Sequence, residues 1–413
     1  MHYAWVVMGA TFVAMLAAAG VNSSFGVYLV PIEAEFLARR ADLALIASLG
    51  ILVNGASQPM VGYMLDRHGA RAVAVVCLAL AAVGLVASSM VTGLWQLYIT
   101  YGVVVSAAVA GPSTTMATVV ASRWFAKHRG FVVGVLSSAF SAGQVILIPL
   151  AMQLSVAYGW RMSYVLLGLL LAVLILPLGL LIRRDPSDMG KQPLGAGDSS
   201  ARSGSAALEE RRTPLSRAVR THGFWMLAIG FFVCGYSGWG TIATHLVAYS
   251  AGRGVDSVTA ANALGIIGAA SVVGTISIGG IIDRVGRKVP LAMVYFVRGL
   301  ALLFLVFVDD PLKLTIFAVV FGLGHAATIP PTSSLIAHFF GRLSAGAIFG
   351  VIFSIHQVGG ALGAYLAGML FDLTGTYSIG FYISVAFCFV ASAASLSIRE
   401  RPVRKPALSK ALG

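Results

Sequence analysis

The sequence predicts an all-α membrane protein with twelve transmembrane helices arranged as two six-helix pseudo-repeats. Three observations carry this. The 413 residues are 58% hydrophobic and only 10% charged, whereas a soluble domain averages about 25% charged residues. The apolar residues run on for about 20 at a time instead of alternating, which selects spanning helices over a membrane β-barrel. Motifs of the first half also recur in the second at a nearly constant offset.

In chain order the apolar runs, numbered here as spans 1 to 12, are 5–30, 43–65, 72–91, 94–121, 130–154, 161–182, 224–249, 258–282, 289–308, 312–338, 345–370 and 377–398. Span 1 starts almost at Met1 without a basic leader, so no cleavable signal peptide is expected. Spans 2 and 8 each stop at an Asp-Arg pair, Asp66-Arg67 and Asp283-Arg284, and span 5 starts after Lys127, His128 and Arg129. Span 6 stops at Arg183-Arg184.

The net charge of +13 and a pI near 10 could point to nucleic acid, but the placement of the charges excludes it. Of the 28 Lys and Arg, only Arg39, Arg40, Arg161, Arg253 and Lys313 fall in the loops of one side, and Arg298 lies inside a run. The others occupy the alternate loops and the C-terminal tail, so the positive-inside rule makes both termini cytoplasmic. The basic balance records orientation in a bilayer. Cys77, Cys234 and Cys388 all lie in spans and read as small packing residues.

Residues 1–182 form an expected N-terminal six-helix bundle and 223–400 a C-terminal one, with a cytoplasmic linker over 183–222 and a cytoplasmic tail over 401–413. The linker carries Arg183, Arg184, Asp185 and Pro186, a Gly/Ser-rich stretch, then Glu209, Glu210, Arg211 and Arg212, a composition suited to a flexible connection. Thr213 followed by Pro214 reads as an N-cap and first helical residue. A short helix on the inner leaflet would follow to Arg220.

The halves repeat each other. Gly62, Asp66, Arg67, Gly69 and Arg71 recur as Gly279, Asp283, Arg284, Gly286 and Lys288, an offset of 217. Gly130, Gly134, Val135, Ser138 and Gly143 recur as Gly346, Gly350, Val351, Ser354 and Gly359, at 216. Tyr28-Leu29-Val30 pairs with His245-Leu246-Val247. Two homologous six-helix bundles imply a pathway between them.

At these residues the chain resembles the major facilitator superfamily, whose loop between helices 2 and 3 reads G-x-x-x-D-R-x-G-R-R/K. The carboxylate of such a loop can sit at a neighbouring helix N-terminus or pair with Arg, in a contact that breaks when the bundles rock. A narrower resemblance links Trp124-Phe125-Ala126-Lys127-His128-Arg129, with Gly134 and Gly143, to the helix 4–5 pattern of the monocarboxylate porters; Phe131, Val132 and Ala139 depart from it. Trp5-Val6-Val7 is similar to that family's first helix. The family's substrate-binding Arg in helix 8 is replaced here by Thr275. The resemblance implies a secondary carrier of small organic anions, most simply a proton-coupled monocarboxylate symporter of a bacterial inner membrane.

What the sequence offers instead is Arg298, in the middle of span 9. An Arg at mid-membrane costs at least about 2.5–3.5 kcal/mol and must face protein or a water-filled cavity, and no Asp or Glu falls in the middle of any run. Two readings stay open: a contact with an anionic substrate, or a structural lock on neighbouring helix carbonyls. His245, His325 and His356 are the proton-coupling candidates, since only imidazole titrates near neutral pH. The resemblance places spans 1, 4, 7 and 10 around the cavity. That makes His245, Tyr28, Asn22, Thr115 and His325 substrate-binding candidates with Arg298. The gating set is Gly62, Asp66, Arg67, Arg71, Gly279, Asp283, Arg284, Lys288, Lys127 and Arg129. Pro112 and Pro331, each followed by hydroxyl residues, predict matched bends in spans 4 and 10.

No phosphate-cradling loop, catalytic constellation or Cys/His metal spacing is present in the sequence, so an enzyme is not expected and no cofactor or metal is implied. The expected partners are an organic anion, a proton and the lipid bilayer. The rivals are an organic-anion antiporter of the oxalate:formate type, a proton-driven drug efflux pump and a transporter-like sensor.

Overall fold

The computed structural model describes residues 2–38, 40–196, 213–255 and 257–399. The Gly/Ser-rich linker stretch and the tail over 401–413 lie outside the described residues. Among them the regular secondary structure is helical, apart from an isolated bridge between Phe125 and Leu194.

Among the described residues ten helical stretches are apolar enough to cross a bilayer, and two of these are hairpins: Leu45–Ser89 holds 45 residues and Arg129–Leu181 holds 53. At about 1.5 Å per residue either would reach at least twice the ~30 Å hydrocarbon core if straight. Each instead folds back at a glycine, Gly69 with φ +83° and Gly159 with φ +81°, in the left-handed region that side chains avoid. Gly286, the repeat partner of Gly69, has φ +100°. The second Gly of the signature is therefore a turn requirement. Twelve crossings result, as the sequence predicts.

The remaining spans are Tyr3–Tyr28, Leu94–Trp124, His222–Leu246, Asn262–Val285, Lys288–Leu305, Pro311–Phe340, Arg342–Phe371 and Ser378–Ser397. Spans 4 and 10 are both broken. Span 4 leaves helical geometry between Val109 and Thr114, and span 10 between His325 and Ile329. These breaks are repeat mates, as the paired Pro-hydroxyl clusters predict. Span 1 is α-helical only to Ser23, tightens into a 3-10 turn over Ser24–Tyr28 and continues as the short helix Leu29–Phe36. The expected linker helix is shorter and starts later than the sequence reading, at Leu215–Ala218 with Pro214 in the capping place. Thr213 stands one residue before that place, and its N–H donates to Oγ of Ser344 at 2.9 Å.

Burial divides into two cores, one built from residues between Ala4 and Ile182 and the other from residues between Ala218 and Ile398. Val83, Val156, Val173 and Leu176 are all at least 65% exposed, the apolar rim that a bilayer would cover. The loops with Asp66 and Asp283 share one end of the molecule, here the signature face. Tyr3, at the N-terminus, joins that face by donating its hydroxyl to the carbonyl of Leu181 at 2.9 Å.

Candidate functional site

On the signature face the halves meet through two contacts that are repeat mates. Asp66 accepts the backbone N–H groups of Gly346 (3.2 Å) and Ala347 (2.9 Å) at the start of span 11. Asp283 accepts those of Gly130 and Phe131, each at 3.1 Å, at the start of span 5. Each carboxylate thus caps a helix of the other half, satisfying free N–H groups and meeting the positive end of the helix dipole. Behind each cap two glycines cross. A Cβ on Gly62 would lie 2.2 Å from the carbonyl oxygen of Gly346, and one on Gly279 would lie 2.4 Å from that of Gly130.

The rest of the gating set spreads around these caps. Arg67 donates to the Tyr63 hydroxyl at 3.2 Å, and Arg129 turns back on the carbonyl of Phe125 at 2.6 Å. Lys127 packs over Gly195 of the linker. Arg284 is exposed, and Lys288 starts span 9. Arg71 lines a cleft of about 430 Å³ with Arg183, Arg184, Asp188 and Met189. The sequence reading missed Arg123, which is 3% exposed and joins Asp66 to the linker. Its Nη2 donates to the Asp66 carbonyl at 2.7 Å and its Nη1 pairs with Asp185 at 3.2 Å.

From Asp66 the contact between spans 2 and 11 continues inward. Gln58 packs against Gly350, and Ser354 donates to the Gly55 carbonyl at 2.6 Å. Gln357 then packs against Gly55. Between spans 5 and 8 the matching series is Gly134 with Thr275, then Ser141 with Ser271 at 3.5 Å. The signature-side pieces of spans 4 and 10, Thr114–Trp124 and Ile329–Phe340, also pack together. The signature face is closed.

Deeper between the halves stands an aromatic pair. Phe140 of span 5 meets Trp239 of span 7 edge to face, with centroids 5.3 Å apart. Trp239 also faces His325, 5.7 Å away. His325 is half-buried, at the break of span 10, and its Nδ1 is buried with no hydrogen-bond partner.

Arg298 lies one layer behind His325 and is fully buried. Its Nη2 donates to the carbonyls of Gly324 at 2.5 Å and His325 at 2.7 Å. The His325 oxygen is free because the helix ladder fails there: the Ile329 N–H, its partner in a regular helix, turns to Ala326 instead. The first half ties its break differently. Gln58, fully buried, accepts from Thr115 at 2.6 Å and Ser113 at 3.3 Å through its Oε1.

The other candidates separate. Tyr28 is fully buried and turned into the first half, its hydroxyl 2.8 Å from Ser163. His245, its repeat partner, bonds through Nε2 to the Ala364 carbonyl at 2.9 Å and lies over Tyr377. These repeat partners therefore each bond within their own half. Thr115 is fully buried against Gln58, whereas Asn22 is half-buried in span 1. His356 is 4% exposed, held between Phe231 and Phe353 with Nδ1 on Gln357 at 3.2 Å. Among the candidates only His325 combines partial exposure with an unbonded buried nitrogen. Gln58, Trp239 and Phe140 were not singled out from the sequence, since an amide or a ring inside an apolar run carries no positional signal.

A family model described as Major Facilitator Superfamily matches residues 8–318 and 297–412. An MFS-type transporter of Bacillus subtilis (strain 168), YcxA, is 27% identical over 405 residues, covering 94% of this chain and 92% of that one. Monocarboxylate transporter 13 of Rattus norvegicus is 28% identical over 402 residues, covering 96% and 89%. Among solved structures, the human organic anion transporter MFSD10 superposes with a TM-score of 0.70 over 96% of this chain and all of that one, at 15% identity.

Proposed function

Because the chain belongs to the Major Facilitator Superfamily, and is therefore a multi-pass membrane transporter and not an enzyme, we propose that it carries small monocarboxylates together with a proton by alternating access. The bacterial inner membrane is its location in this reading, and the signature face with both termini is cytoplasmic. The state described is then closed to the cytoplasm. Full-length likeness to monocarboxylate transporters at 23–28% identity supports the substrate class.

One observation carries the choice of an anion: the second half buries the Arg298 cation against the carbonyls of Gly324 and His325, with no carboxylate beside it among the described residues. A buried charge without compensation is costly, and an arriving carboxylate offsets that cost. In this reading His325 meets the carboxylate, Trp239 packs on its alkyl part and Arg298 supplies the field. Asn22 lines the opposite wall, whereas Tyr28, Thr115 and His245 brace the helices around the site.

The test is uptake of radiolabelled lactate, pyruvate and acetate into proteoliposomes with an imposed pH gradient. Accumulation driven by inside-alkaline pH is expected. Transport that ignores the gradient and requires internal counter-anion would replace symport with anion exchange. Arg298→Met and His325→Gln should lose uptake, while sugars and amines that carry no carboxylate remain unbound by the wild type in a thermal-shift screen.

A further inference from the structure

A closed cluster in the second half surrounds Arg298, and its other members have no role in the transport reading above. Cys234 of span 7, Tyr295 and Arg298 of span 9, Thr328 of span 10, His356 of span 11 and Cys388 of span 12 are each 4% exposed or less. These residues come from five different spans. Among the described residues no Asp or Glu of the second half is buried.

Sγ of Cys234 lies 3.2 Å from Oγ1 of Thr328 and 3.9 Å from the carbonyl oxygen of His325. The same carbonyl accepts Nη2 of Arg298 at 2.7 Å. Thiol and guanidinium therefore converge on one backbone oxygen. Independently, Nε and Nη1 of Arg298 are buried with no hydrogen-bond partner. Two donors of a fully buried cation thus lack an acceptor, beside a side chain that can become an anion. A neighbouring cation favours the thiolate over the thiol, and buried charges in membrane proteins pair with one another.

We propose that Cys234 is the internal counter-ion of Arg298, present as the thiolate, and that it is the residue that takes up the co-transported proton. This rests on the symport reading and names its proton site. A proton from cavity water forms the S–H bond and no other bond changes. Protonation removes the partner of Arg298, whose charge then draws the substrate carboxylate toward His325. Proton and anion bind cooperatively because each restores the neutrality that the other disturbs. Empty, the cluster holds thiolate and guanidinium; loaded, it holds thiol, guanidinium and carboxylate.

The ionisable groups around the sulfur are Arg298 and Tyr295 of span 9, His325 of span 10, His356 of span 11 and Cys388 of span 12. Arg298 is the one with a fixed positive charge. His356 reaches Gln357, which packs on Gly55 of the other half, so the cluster is joined to the contact between halves that alternating access must open.

The experiment is infrared spectroscopy of the S–H stretch, a window free of other protein bands, on the full-length protein in lipid. Cys234→Ser assigns the band, and Cys77→Ser serves as the control. At neutral pH without substrate the Cys234 S–H band is expected to be absent, and to appear when lactate binds. A Cys234 S–H band already present in the substrate-free protein would overturn the proposal. In proteoliposomes Cys234→Ser should lose gradient-driven accumulation by about tenfold or more while keeping lactate counterflow. Wild-type accumulation in that variant would also overturn it. Absence of any carboxylate transport by the wild type would instead sink the symport reading, and the infrared result would still decide the protonation state of Cys234.

Discussion

Phe140 and Trp239 form the single aromatic ring contact that joins the two halves among the described residues, edge to face at 85° with centroids 5.3 Å apart. Its second consequence lies on the far side of the indole, where Trp239 faces His325. One ring therefore touches both the opposing half and the proposed carboxylate site.

An edge-to-face pair contributes about 0.5–1.5 kcal/mol beyond its burial. Phe140→Ala should shift the balance of the two carrier states by about two- to tenfold with little change in substrate affinity within a state. Trp239→Ala should change both. Distances between spin labels at the exposed His68 and Val285 report the first quantity, and titration calorimetry the second. Equal effects of the two substitutions on affinity would refute the link through Trp239.

The two carboxylate caps are mates in sequence but not in environment. Asp66 is 7% exposed, whereas Asp283 is exposed. Removing a cap costs about 0.5–2 kcal/mol, with the larger loss where water cannot replace the carboxylate. Asp66→Ala should therefore open the signature face more than Asp283→Ala, seen as a longer His68–Val285 label distance in a larger fraction of molecules. The double variant should approach the sum, because the caps share no partner.

On the opposite face Glu35 accepts from Nε1 of Trp160 at 2.6 Å and from Nε and Nη2 of Arg161 at 3.1 and 2.5 Å. Partial burial pushes the Glu35 carboxyl up, but these donors outweigh it and hold it below its ordinary value of 4.5. A carboxylate depressed in the folded state stabilises above its ordinary range, and that stability is lost as pH falls through the depressed value. Wild-type thermal stability should thus decline more steeply below about pH 4.5 than that of Glu35→Gln. The pair is well exposed and contributes at most about 1 kcal/mol, so the melting curves should differ by a few degrees at most.

Much of this architecture was legible because it rests on chemistry that sequence displays directly. Apolar run length gave the spans, and the constant offset paired Gly62 with Gly279 and Gly130 with Gly346. The offset also implies what the structure contains, that the crossing of Gly62 with Gly346 must recur as Gly279 with Gly130. The site was less legible. Arg298 reads as a lone cation, but its direction depends on which carbonyls the break in span 10 frees. Tyr28 and His245 align in sequence, yet one bonds Ser163 within its own half and the other bonds a span 11 carbonyl. Repeat symmetry fixes backbone positions and not the partners of side chains. Cys234 looked like packing because a buried thiol resembles an apolar residue until a guanidinium is placed beside it.

The glycine crossings make the sharpest prediction, because adjacent residues give opposite expectations. A Cβ on Gly279 would meet the carbonyl oxygen of Gly130 at 2.4 Å, whereas one on Gly280 meets nothing within 4 Å. Both sit in the same helical stretch, Asn262–Val285, so helix propensity favours Ala at either place by about 1 kcal/mol. Gly280→Ala should leave transport intact and raise the melting temperature slightly. Gly279→Ala must push span 8 away from span 5 on the signature face, because the obstacle is backbone and cannot rotate aside. It should lengthen the His68–Val285 label distance and slow uptake at least about tenfold. Gly62→Ala, the repeat mate, should do the same through span 11. If Gly279→Ala and Gly280→Ala behaved alike, the glycines would be serving helix flexibility and not the close approach of the two halves.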